Sequence, residues 1–217
     1  MTVGTPRPPL VGRALLLVFV ASFGAMAGFY LLLSVVPLYA DSVGAGGVGA
    51  GLTTGVLMAA TVAGELAVPR LAARFGYRAV FAAGLVLLGA PALALPASTT
   101  LAAILAVSAV RGLGFAIVVV VGGALVASLV PGERRGEGLG LFGIVVGVPG
   151  VAALPLGVWL VGEAGYPAVF AAGAVAALAG LVVVPGCPAG RRSGRRPLAS
   201  WPGCARPPWP GRRPPSR

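Results

Sequence analysis

Gly76-Tyr77-Arg78-Ala79-Val80-Phe81-Ala82-Ala83-Gly84 recurs as Gly165-Tyr166-Pro167-Ala168-Val169-Phe170-Ala171-Ala172-Gly173, eight of nine residues agreeing at an offset of 89. At the same offset Gly49, Gly51 and Leu52 fall without a gap on Gly138, Gly140 and Leu141. One offset held over two separated stretches marks a duplicated unit rather than chance likeness between Ala/Gly-rich segments. The single mismatch sets Arg78 against Pro167.

The units are built for lipid. Hydrophobic residues make up 58% of the 217-residue chain and charged residues only 10%. A soluble domain carries roughly 25% charged residues, because its surface must face water. A helix needs about 20 apolar residues to cross the hydrocarbon core, and six stretches approach this: 14–40, 48–68, 79–95, 101–127, 139–161 and 168–184. Gly/Pro-rich breaks separate them, such as Gly44-Ala-Gly-Gly47 and Pro131-Gly-Glu-Arg-Arg-Gly136. The expected fold class is therefore all-α, a polytopic membrane protein of six transmembrane helices. A cleavable signal peptide is the rival reading of the first stretch, but its apolar run continues to Leu38, well past a signal core.

Arginine placement orients the bundle. Residues 1–13, read as a cytoplasmic N-terminus, hold Arg7 and Arg13. The breaks after the second and fourth stretches hold Arg70, Arg74, Arg78, Arg134 and Arg135, whereas the other breaks hold only Asp41 and Glu163. Since arginine accumulates on the cytoplasmic side, both termini are expected in the cytoplasm and the chain in the plasma (inner) membrane. The two copies of the repeat, three spans apart, then open on opposite sides of the bilayer. Two inverted three-helix repeats are what that implies.

Composition also excludes chemistry. The chain has no His and no Lys, and its acids are Asp41, Glu65, Glu133, Glu137 and Glu163. Most acid–base, triad and metal-site chemistry loses its reagents, so no enzyme activity, catalytic residue, metal or cofactor is expected, nor a nucleic-acid partner. Residues 186–217 are basic and rich in Pro and Arg, and hold Cys187 and Cys204. Such a segment cannot bury a core and reads as a disordered cytoplasmic tail. Its Arg/Pro/Gly/Trp character is also what GC-rich DNA yields when read out of frame.

Three short elements resemble the major facilitator superfamily of secondary transporters, over about residues 13–185 and hence its N-terminal six-helix half. Leu71-Ala-Ala-Arg74-Phe-Gly76-Tyr-Arg78 is similar to the family's G-x-L-a-D-R-x-G-R-R loop, with Pro69 at the usual Gly and Ala73 at the usual acid. Arg111-Gly112-Leu-Gly114 is similar to its R-G-x-G element. Gly150-Val-Ala-Ala-Leu154-Pro155-Leu-Gly157 partly matches G-x-x-x-G-P-x-x-G. The resemblance implies alternating-access transport of a small molecule, ion coupling with protons among the options, and a truncated chain. A missing C-terminal half, or a second copy in a homodimer, would complete it; a non-transporting fragment is the other alternative. It also ties Arg111 to coupling and makes Arg74, Gly76 and Arg78 gating-loop candidates.

The residues themselves support several site readings. Arg111 lies about ten residues into the fourth stretch, where a charge costs on the order of 3 kcal/mol. It either serves substrate or coupling, or ties helices through carbonyls. Glu65, near the cytoplasmic end of the second stretch, is a proton-exchange candidate if buried, or else a partner of Arg70 or of the next loop. Tyr30, with Phe23 and Met26, marks one face of the first stretch, lining a cavity or facing lipid. Gly112, Gly114, Gly150, Pro155 and Gly157 are packing or hinge candidates. Gly51-x-x-x-Gly55 and Gly143-x-x-x-Gly147 carry the spacing that lets helix backbones approach closely.

Overall fold

In lipid a backbone must satisfy its own N–H and C=O groups, which leaves a hydrophobic chain of this kind the helix. The computed structural model describes residues 12–186, and these are helical almost throughout. The N-terminal residues before 12 and the tail beyond 186, with the expectations placed on them, lie outside the described residues.

Helix α1 is Arg13–Ala40, followed by a wide turn, Asp41–Ala45. Helix α2 is Gly46–Phe75, and α3 is Tyr77–Gly89 with a 3-10 continuation over Ala90–Ala97. Helix α4 is Leu101–Leu129. The run Arg135–Ala179 breaks at Gly165 (φ 76°, ψ 167°), and its arms, 135–164 and 166–179, are labelled α5 and α6. Six helices result, in the order the sequence leads one to expect. Helices α2 and α5 pass beyond their apolar stretches, whereas the α-helical turns of α3 and α6 end at Gly89 and Ala179 and give way to 3-10 turns. Helix α2 extends seven residues past Val68 and carries Arg70 and Arg74 on its last turns.

The helices stop where the chain leaves helical φ/ψ. Gly76 takes φ 83° and ψ 152°, donates its N–H to the Ala72 carbonyl (2.9 Å), and so ends α2 and opens α3. Gly165 takes a like conformation (φ 76°, ψ 167°) between α5 and α6, at the matching position of the repeat. That backbone region is essentially closed to residues with a Cβ. At the start of α4, Thr100 Oγ1 accepts from the Ala103 N–H (3.4 Å), a side-chain N-cap.

Packing follows the duplication. Helix α1 lies along α5 and α6 of the second unit, while α4 lies along α2 and α3 of the first. The repeat residues share environments: Phe81 and Phe170 are fully buried, as are Val80 and Val169. Two cores result. One gathers Phe29, Phe81, Leu85, Val118 and Val121 among α1, α3 and α4. The other gathers Leu32, Tyr39, Leu95, Ile104 and Phe170 toward the far ends of α1 and α6. There Tyr39 meets Tyr166 and Phe170 edge-on, each at 5.2 Å between ring centroids.

Glycine contacts correct one expectation. A Cβ on Gly51, Gly55, Gly143 or Gly147 would meet nothing within 4 Å, so these motifs make no close crossing among the described residues. The crossings use other glycines. Gly24 and Gly28 of α1 press on the Ala176 and Gly173 carbonyls of α6, and Gly114 of α4 on the backbone of Leu87 and Leu88. Gly24 and Gly28 have the same i, i+4 spacing as the pairs that make no crossing, so the spacing alone does not select between them.

Candidate functional site

Arg111 is the one charged side chain buried among the described residues, 1% exposed at the centre of the bundle. Helix α4 carries it inward on the face that also buries Ser108 and Gly112. Nε donates to the Leu88 carbonyl of α3 (3.4 Å), and Nη2 to the Phe29 carbonyl of α1 (3.5 Å). Its guanidinium also stands 6.0 Å from the Phe29 ring centroid, a cation–π approach. Nη1 is buried with no hydrogen-bond partner among the described residues. Both bonds are long, so a guanidinium with five donors is poorly compensated.

No carboxylate answers it. Asp41, Glu65, Glu133, Glu137 and Glu163 are all exposed, and the only ion pair among the described residues is Arg134–Glu137 (2.8 Å). Instead Arg111 helps line a crevice of about 10 Å³ among α1, α2 and α4. Thr53, Thr54 and Ser108 bring hydroxyls to that wall, and Leu33, Val36 and Pro37 close it from α1. Pro37 has no N–H to give the Leu33 carbonyl one turn earlier, which leaves an acceptor on the same stretch.

The other candidates are dispersed. Glu65 is exposed on α2 and pairs with no arginine; neither the buried carboxylate nor the ion pair is realised. Tyr30 is half-buried, edge-on to Phe29 at 5.3 Å, with its ring 3.3 Å from where a Gly150 Cβ would stand. Met26 is fully buried and Phe23 is 46% exposed, so the three do not form one lining face. Arg74 is exposed and lies over the Phe75 ring at 5.3 Å, and Arg78 is half-buried beyond the Gly76 corner. These loop residues gather at the α2–α3 end, apart from the crevice at Arg111.

The glycines near Arg111 set helix distances. Gly112 meets the Leu57 carbonyl of α2, and Thr61 Oγ1 reinforces that crossing by donating to the carbonyls of Leu57 (2.9 Å) and Gly112 (3.2 Å). Gly157 of α5 lies against the Leu31 carbonyl and Ser34 Oγ of α1, where Ser34 also donates to the Leu154 carbonyl (3.0 Å). Pro155 is exposed on the same helix. Sequence reasoning missed Ser34, Thr53, Thr61 and Ser108, since lone hydroxyls in apolar helices carry no spacing signal.

A bundle of long apolar helices in two inverted units, with one buried cation at its centre, defines a polytopic membrane protein. The chain belongs to the Major Facilitator Superfamily, whose sequence profile matches residues 18–213. Eight chains of solved structures match it. One is the xylose transporter XylE from E. coli in an inward open conformation, with a TM-score of 0.68 at 13% identity over 82% of this chain and 48% of that one. The chain thus spans about half the length of that transporter, and the likeness at this identity is one of fold. No curated protein matches the chain significantly.

Proposed function

We propose that this chain is the N-terminal half of a secondary transporter that moves a small molecule by alternating access across the plasma (inner) membrane, with both termini in the cytoplasm and flux coupled to an ion. The observation that carries this reading is Arg111, buried without a carboxylate beside a small crevice of mixed apolar and hydroxyl lining. A charge at that depth is costly, and such residues mark substrate or ion pathways. The large outward-facing residues of α2 and α5, Val48 and Val151 among them, and the free glycines on both helices support a second bundle seated on that side. Alternating access needs two bundles that rock about a midplane site.

A second copy of the chain is the alternative occupant of that face, and a fragment without transport is the other reading. The test is the purified chain in liposomes with a proton-sensitive dye and a panel of drugs, sugars and amino acids, its oligomeric state fixed by cross-linking. Flux by a dimer that disappears in Arg111→Ala establishes transport by two copies. A silent monomer assigns the chain to a half that needs the rest of the transporter, or to a fragment.

A further inference from the structure

We propose that the crevice among α1, α2 and α4 is a binding site for a small anionic group, a halide or the carboxylate of an organic anion, held by Arg111 with the hydroxyls of Thr54 and Ser108.

Charge balance is the first argument. Arg111 is always ionised, it is 1% exposed, and every acid among the described residues is exposed and away from it. Its two protein acceptors are neutral carbonyls at 3.4 and 3.5 Å, long for charge-assisted bonds of about 2.7–2.9 Å. A buried cation without a counter-charge is among the most expensive arrangements a protein can hold. An anion in contact with it removes most of that cost, and the cost becomes affinity.

The wall chemistry is the second. Nη1 has no partner. Thr53 gives its hydroxyl to the Ala50 carbonyl (2.7 Å), while Ser108, also buried, donates to no protein group among the described residues. Arg111 Nη1 and the Ser108 hydroxyl are donors left without a protein acceptor among the described residues, and a cation with unfilled donors suits an anion rather than a second cation. The space, about 10 Å³, admits roughly one water-sized body. That is close to the size of one carboxylate oxygen, with the rest of an organic anion lying toward the open side of the crevice; a chloride, larger than water, sits there only with a small outward shift of that side.

The proposal rests on the transport reading for its purpose but not for its geometry, and binding is measured apart from flux. Chloride-35 NMR of the purified full chain in detergent reports bound chloride as line broadening. The expected result is broadening that weakens about tenfold in Arg111→Gln, the loss of one charge-assisted contact. A smaller loss is expected in Ser108→Ala, and none in Arg70→Gln or Arg74→Gln. Should Arg111→Gln fail to fold, Ser108→Ala and Thr54→Val carry the test. Acetate that displaces chloride identifies a carboxylate site; acetate that does not identifies a halide site. Broadening equal in wild type, Arg111→Gln, Ser108→Ala and Thr54→Val overturns the proposal. If the broadening depends on Arg111 but no flux is found in liposomes, the anion site stands and transport by two copies of this chain falls.

Discussion

Gly173 on α6 lies against Gly28 on α1 so closely that a Cβ on Gly28 would strike the Gly173 carbonyl oxygen. The positions 89 residues from each, Gly84 on α3 and Ile117 on α4, meet likewise: a Cβ on Gly84 would reach 2.5 Å from the Ile117 side chain. Exchanging the units carries one contact onto the other. The relation links α1 with α6 and α4 with α3, which is the residue-level signature of a pseudo-two-fold axis between inverted units.

Substitution at that crossing should be costly. Gly28→Val places carbon where the Gly173 carbonyl stands, and overpacking of this kind costs about 1–3 kcal/mol or more. Gly51→Val and Gly143→Val enter open space and should leave the stability of the chain near that of wild type. Thermal unfolding in detergent, read by fluorescence-detected size exclusion, compares the three. Equal losses at Gly28 and Gly51 would contradict the assigned helix rotation.

The two corner glycines should behave as a pair. Gly76 and Gly165 share φ near 80° with extended ψ, a region that costs a non-glycine residue on the order of 1–3 kcal/mol. Gly76→Ala and Gly165→Ala should lower stability by similar amounts, since each ends one helix and opens the next. Gly132→Ala, at negative φ with open space around it, serves as the control. A harmless Gly165→Ala would mean that α5 runs straight into α6.

Arg111 separates strut from site by its stability effect. Its long carbonyl bonds give little back against the cost of burying the charge. Arg111→Met should therefore fold and unfold no more easily than wild type, while function is lost. Arg111→Lys should not restore function, because a compact ammonium cannot present a planar fork to α1 and α3 together. If Arg111→Met loses several kcal/mol in a thermal or chemical unfolding series, the side chain is chiefly a helix tie.

Topology is checked by accessibility. After replacement of Cys187 and Cys204 by serine, single cysteines at Thr99 and Gly162, both exposed, should react with an impermeant maleimide in intact cells. A cysteine at Gly132 should react only after the membrane is opened. The expectation comes from arginine on the alternate breaks; labelling of Gly132 from outside would reverse the orientation.

What the sequence determined by itself is the class and the order of the helices. Long apolar runs between Gly/Pro breaks leave the chain no way to satisfy its backbone in lipid except as helices. The 89-residue offset disclosed the two units, and Arg111 stood out because no other charge interrupts the middle of an apolar run. The rotation of each helix about its own axis was decided only by the tertiary structure. Hydrocarbon is as apolar as a protein core, so the inward and outward faces of these helices differ little in hydrophobicity and no amphipathic stripe reveals them. Small residues recur on every face of α1, α2 and α5. Nothing in spacing alone told Gly28, pressed on Gly173, from Gly55, which touches nothing. For the same reason Glu65 could be read as buried and Phe23, Met26 and Tyr30 as one lining face, although packing exposes the first and separates the other three. The carbonyls of Leu88 and Phe29 that receive Arg111 belong to helices 23 and 82 residues away along the chain. Only the folded bundle brings them within reach.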